Sequence, residues 1–248
     1  ESHLWCPYGQ VSQQLFMQVK RGNRMPHEQA IRIQVPDADI ALEARVLDQS
    51  EEKTEVSRIG LVMCHPHPLF GGTMDNKVVT TVARAARDLG MSTLRFNFRG
   101  VGESSGNHDN GVGEVDDVAA VVEYARSTLG WSRIMLCGFS FGAGMACLYA
   151  DRAAQAATTQ DLIQGLTLIA PAVHHFDAPS VLPPGLDTWV LMGNEDEVVP
   201  FEEVDDWVQR LVPMPHWLVF NEAGHFFHGR TTDLKASIME EWQAWQHA

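Results

Sequence analysis

The segment Gly138-Phe139-Ser140-Phe141-Gly142 sets a serine between two glycines. An apolar run, Ile134-Met135-Leu136-Cys137, leads into it, and the small residues Ala143-Gly144-Met145-Ala146 follow. A strand, a sharp turn and a helix start form the setting in which a serine hydroxyl stands exposed as a nucleophile. Glycine on both sides lets the strand and helix backbones approach closely. The helix N-terminus points free N–H groups toward developing negative charge. The chemistry implied is acyl transfer; the bland alternative is a serine in a tight strand–helix turn with no chemistry at all.

A serine needs a base to take its proton, and the base needs a group to orient it. With a strand–turn–helix serine the expected chain order is serine, acid, histidine. Two downstream segments fit. Trp189-Val190-Leu191-Met192 reads as a strand and runs into Gly193-Asn194-Glu195-Asp196-Glu197. Trp217-Leu218-Val219-Phe220 reads as another and runs into Asn221-Glu222-Ala223-Gly224-His225. Gly224 permits a tight turn before His225, which favours it as the base over His228. His228 is expected to line the site or cap the next helix. Asp196 is the candidate acid, with Glu195 and Glu197 as competing loop acids and Glu222 as a weaker rival. His174 and His175 follow the strand-like segment 166–173 and could rim a pocket. The other histidines default to surface or loop positions.

Acyl transfer also needs N–H donors aimed at the tetrahedral oxyanion. One is the N–H of Phe141, directly after the serine. The second is expected from His65-Pro66-His67-Pro68-Leu69-Phe70-Gly71-Gly72. Prolines lack an N–H, which leaves His65, His67 and Leu69 as donors near the strand end; by position in the loop His67 is the expected donor and Leu69 the alternative. A metal pair at His65 and His67 is the rival reading. It is set aside because a catalytic zinc normally takes three protein ligands and no third follows at suitable spacing. No metal and no cofactor are expected.

These groups must be held at one edge of a framework, and the remaining sequence supplies one. Strand-like segments at 41–48, 59–64, 93–98, 133–139, 166–173, 189–192 and 217–220 alternate with helix-like segments at 76–89, 114–129, 141–154, 202–211 and 234–245. This alternation predicts an α/β fold with a mostly parallel central sheet and helices on both faces. Sites on such sheets lie at the carboxyl ends of the strands, where each candidate falls. With 248 residues, 45% of them hydrophobic, one domain can bury a full core. The expected domain runs from 25 to 248. Residues 1–24 read differently, and Met25 is expected to be the native start after a leader or upstream read-through.

A net charge of −14 argues against nucleic acid and anionic membrane as partners. No apolar run is long enough for a membrane helix. Cys6, Cys64, Cys137 and Cys147 match no zinc spacing and read as buried thiols of a cytoplasmic protein. Whether the chain forms a homo-oligomer is left open.

With these residues in hand, the chain resembles small bacterial α/β-hydrolases related to dienelactone hydrolases. The segments that carry the resemblance are the loop from His65 to Val79, Arg95-Phe96-Asn97-Phe98-Arg99-Gly100-Val101-Gly102, the serine turn, Asp196-Glu197-Val198-Val199-Pro200 and Gly224-His225-Phe226-Phe227-His228-Gly229. The match runs from about Ile31 to Trp245. It implies the α/β-hydrolase fold, the triad Ser140, Asp196 and His225, and carboxylic-ester hydrolysis. Only a loop fits between Val173 and Thr188, so no cap domain is expected. The expected pocket wall is Phe70, Phe141, Phe176, Leu182, Phe226 and Phe227, with His174 and His228 beside it. Small, short-chain esters are the expected substrates, cleaved through an acyl-enzyme. A thioesterase or peptidase would use the same triad. A dienelactone specialist usually carries cysteine where this chain has serine. A non-catalytic binding protein on the same fold is the more distant alternative.

Overall fold

The computed structural model describes residues 27–49, 58–156 and 162–247. The expected leader, its boundary at Met25 and Cys6 lie outside the described residues. Eight strands form one sheet: β1 (Gln29–Val35), β2 (Ile40–Leu47), β3 (Ile59–Cys64), β4 (Ser92–Phe96), β5 (Arg133–Phe139), β6 (Ile163–Ile169), β7 (Asp187–Gly193) and β8 (His216–Phe220). Their spatial order is β1-β2-β4-β3-β5-β6-β7-β8. From β4 to β8 every neighbouring pair is parallel. β1 and β2 form a hairpin, and β2 joins β4 antiparallel. The chain moves one way from β3 to β4 and then returns across β3 to β5. That reversal opens a crevice at the carboxyl ends of β3 and β5, where ligands bind in sheets of this kind.

The central strands are apolar throughout. Every residue of β3, Ile-Gly-Leu-Val-Met-Cys, is buried, as a strand covered on both faces requires. Helices α1 (Lys77–Asp88) and α5 (Thr231–Gln246) pack on one face through Val78, Val82, Leu234 and Trp242. Helices α2 (Val112–Ser127), α3 (Phe141–Ala156) and α4 (Phe201–Arg210) cover the other through Val118, Ala146 and Val204. The α1 start is set by Asn76, whose side-chain oxygen accepts the Val78 N–H at 2.8 Å, and Gly90 leaves the helix at φ +81°.

Two strand ends beside the site and one edge strand depart from the sequence reading. The apolar stretch 166–173 is a strand only to Ile169. Ala170 turns at φ +44° and Ala172 lines a cavity, so those small apolar residues serve a loop. β4 ends at Phe96 because the N–H of Asn97 turns to the Glu43 carbonyl and that of Phe98 to His65. β1 was not singled out from sequence. Its alternating Ile31, Ile33 and Val35 bury only one face of an edge strand. The span between β6 and β7 is a loop with one short turn at Val173–His175. Among the described residues there is no cap domain.

Candidate active site

Ser140 sits between β5 and α3 at φ +56°. That left-handed conformation costs a non-glycine residue about 1–2 kcal/mol and persists because its surroundings fix it. The Ser140 N–H donates to the Ile169 carbonyl at 2.8 Å, and its own carbonyl accepts the Ala143 N–H at 3.0 Å. The flanking glycines are explained by distance. A Cβ at Gly138 would lie 2.2 Å from the Gly142 carbonyl oxygen. A Cβ at Gly142 would lie 2.4 Å from the His65 oxygen and 2.6 Å from that of Cys64. The first turn of α3 is thus pressed against the end of β3. Gly142→Ala should therefore push the two apart and lower turnover by about tenfold or more, an effect steady-state kinetics on the folded variant would measure.

The three side chains proposed from sequence meet. His225 Nε2 lies 3.1 Å from Ser140 Oγ, and His225 Nδ1 lies 2.7 Å from Asp196 Oδ2. Both side chains of that second pair are almost wholly buried. Asp196 Oδ1 accepts the N–H groups of Val198 at 2.9 Å and Val199 at 2.7 Å. The carboxylate is therefore held at both oxygens. Asp196 follows β7 and His225 follows β8, each past a strand's carboxyl end.

Glu197, which sequence offered only as a competing loop acid, accepts the His225 main-chain N–H at 3.0 Å. A Cβ at Gly224 would lie 2.6 Å from that carboxylate. Gly224 therefore makes room for Glu197, beyond any turn it permits. Glu195 keeps to the loop, its N–H on the Ala223 carbonyl at 3.1 Å.

Among the described residues the N–H groups of Phe141 and His67 donate to no acceptor. Leu69, the alternative donor, is engaged: its N–H donates to His67 Nδ1 at 3.2 Å. An acceptor at Nδ1 means that the neutral His67 ring carries its proton on Nε2. Burial holds its pKa below the usual range, and neighbouring His108 and His175 lower it further. His65 cannot serve a metal, because both its ring nitrogens are bonded within the protein. Among the described residues no cluster of three or more His, Cys, Asp or Glu side chains could hold a metal ion.

Ser140 and His225 open on a cavity of about 360 Å³. Its walls include Phe70, Phe141, Phe176, Phe226, His174 and His175, all proposed from sequence as wall or rim, and His67, proposed as a donor. Three other expected wall residues do not reach it. Leu182 is buried in the core on the α2–α3–α4 face. Phe227 turns at φ +52° and packs on Phe220 with ring centroids 5.4 Å apart, in the core on the opposite face. His228 is exposed beyond Phe226. A tight turn, with the Phe227 N–H on the Gly224 carbonyl at 3.0 Å, sends residues 225 and 226 one way and 227 the other. Apolar character alone did not reveal that reversal. Met145, Val198 and Val199 also line the cavity and were not singled out.

A family model described as the alpha/beta hydrolase fold matches residues 66–189. A Rickettsia prowazekii protein is 35% identical over 189 residues, which cover 73% of this chain and 76% of that one. The chain belongs to the α/β-hydrolase fold family. Among solved structures, a lidless α/β serine hydrolase from Xanthomonas campestris aligns with a TM-score of 0.75 and 34% identity, over 88% of this chain and 95% of the other. An α/β serine hydrolase homologue from Coxiella burnetii aligns with a TM-score of 0.74 and 37% identity, over 89% and 99%. This α/β hydrolase thus shares its sheet architecture with one structure described as an α/β serine hydrolase without a lid and another described as an α/β serine hydrolase homologue. Among the described residues, no helix is long and apolar enough to cross a membrane.

Proposed function

We propose that this α/β hydrolase is a serine esterase cleaving small, short-chain carboxylic esters through an acyl-enzyme on Ser140. The observation that carries the reading is the hydrogen-bonded chain Ser140–His225–Asp196 beneath an apolar cavity, with two unengaged N–H groups on the walls. His225 Nε2 takes the Ser140 proton as Oγ attacks the ester carbonyl. Asp196 holds the Nδ1–H and stabilises the imidazolium that forms. The Phe141 and His67 N–H groups receive the oxyanion, each contributing about 3 kcal/mol to the barrier reduction. The imidazolium then protonates the leaving alcohol. Water, activated by the same histidine, releases the acid.

The cavity supports the substrate class. It lies near the lower end of the roughly 300–1,000 Å³ range of small-molecule sites. No Asp, Glu, Lys or Arg is among its described lining residues, which favours uncharged acyl and alkyl groups. Among the described residues no cap covers the mouth, which suits short chains better than long ones. A kinship to dienelactone hydrolases, with the His65–Gly72 segment as the oxyanion loop, belongs to the same proposal. So does a reducing, cytoplasmic setting, supported by the free buried thiols Cys64, Cys137 and Cys147. Turnover of acetate, butyrate, octanoate and palmitate esters of one phenol should be greatest for the two short acids. A preference for palmitate, for thioesters or for peptides would replace this assignment.

A further inference from the structure

We propose that His65 is a positioning residue for the oxyanion hole, clamping the Pro66 carbonyl and so aiming the His67 N–H at the reacting carbonyl. The inference rests on the reading of His67 as an oxyanion donor. The Pro66 C=O and the His67 N–H are the two ends of one peptide unit. In a planar trans peptide they point in opposite directions, so fixing the oxygen fixes the hydrogen.

The imidazole of His65 is fully buried. Its Nε2 accepts the Phe98 N–H at 3.0 Å. A neutral imidazole carries one proton, which must therefore be on Nδ1. Nδ1 lies 2.5 Å from the Pro66 oxygen and donates to it. The Phe98 ring packs edge-on against the imidazole with centroids 4.8 Å apart, which fixes its plane. Burial lowers the His65 pKa to about 4, so the ring stays neutral and keeps its donor at ordinary working pH.

The other side of the same loop is equally determined. The His67 carbonyl accepts the N–H groups of Phe70 at 3.1 Å and Gly72 at 3.0 Å. Gly72 lies so close that a Cβ there would be 2.0 Å from the Pro66 oxygen. The 66–67 peptide unit is thus held at its oxygen by His65, while its N–H is unengaged among the described residues. A hydrogen bond donated to an amide oxygen also polarises the amide and strengthens its N–H as a donor. An apolar side chain could fill the space of His65 but could not supply this bond.

His65→Phe and His65→Asn, made in the full-length chain, test the proposal once wild-type ester turnover and the inactivity of Ser140→Ala are in hand. Loss of an aimed oxyanion donor should lower kcat by about 10- to 100-fold. KM should move little, and affinity for a boronic acid that mimics the tetrahedral intermediate should fall in step with kcat. A folded variant with wild-type kcat and boronate affinity, or a loss carried by KM alone, overturns the proposal. Should neither variant fold, nitrogen NMR of the wild-type imidazole decides. The expected signal is the neutral Nδ1–H form throughout about pH 5–8; an Nε2–H form or a charged ring overturns the proposal. A wild-type protein that cleaves no ester would sink the esterase reading itself. That outcome is distinct from an active enzyme indifferent to residue 65.

Discussion

Ser140→Ala is expected to abolish ester hydrolysis, lowering kcat on the order of 10⁶-fold, with the fold unchanged. Losses of that size arise where nucleophile and base act as a unit, and here Oγ lies 3.1 Å from His225 Nε2. Alanine keeps the Cβ, so the main chain at φ +56° is no more and no less strained. The lost atom is the one that would form the acyl bond. The Phe141 and His67 N–H groups and the cavity remain, so a residual rate above that of water is expected. Steady-state kinetics together with thermal melting checks both halves. Full activity in a folded variant would remove the nucleophile assignment.

The largest expected loss of stability lies behind the site. Asp117→Ala should destabilise the protein by about 3–5 kcal/mol, the range for removing one partner of a buried ion pair. The Asp117 carboxylate is fully buried and lies 2.7 Å from Arg99 Nη2. Arg99 Nε donates to it at 3.0 Å, and the Arg99 main-chain N–H at 2.9 Å. The guanidinium lies against the start of α2, where a Cβ at Gly113 would be 1.8 Å from Nη1. Without Asp117 an almost buried charge loses its nearest described carboxylate; Asp109 remains at 4.0 Å. Replacing both partners with apolar residues of similar volume should cost less than either single change. By contrast, removing the exposed Arg32–Glu103 pair should cost about 1 kcal/mol or less. Urea unfolding of the four variants measures these differences.

The same pair ties the segment after β4 to α2. That segment carries His108, whose ring lies 5.1 Å from that of His67 and 5.7 Å from that of Phe141. Glu114 supports it from below, accepting the Asp109 and Gly111 N–H groups at 2.9 and 2.8 Å. Glu114 and Asp117, both buried in the first turns of α2, are therefore internal supports of the loop beside the site.

Much of this was legible in sequence because the signals were local. The apolar run into Gly138-Phe139-Ser140-Phe141-Gly142 specifies a strand, a turn and a helix with no long-range information. Asp196 and His225 were legible because each follows a short apolar strand. Direction was harder. Phe226 and Phe227 are adjacent and both apolar, yet one lines the cavity and the other enters the opposite core. Only the turn at Gly224 decides which. Leu182 failed similarly, since a loop residue near the site can serve the core beneath it. The role of Glu197 was hidden because its contact is with a main-chain N–H, which any residue at position 225 would offer. The His65 contacts were hidden too, because Phe98 comes from another strand end. The prolines pointed to His67 as a free N–H donor but not to the group that aims it.

The most direct test is covalent labelling with a fluorophosphonate, followed by peptide mass spectrometry of the full-length protein. A serine activated by His225 and Asp196 predicts one phosphonyl adduct, on Ser140, lost in His225→Ala and appearing in step with loss of ester turnover. Ester turnover that persists while Ser140 stays unmodified, or an adduct on another residue that tracks inactivation, would contradict the account.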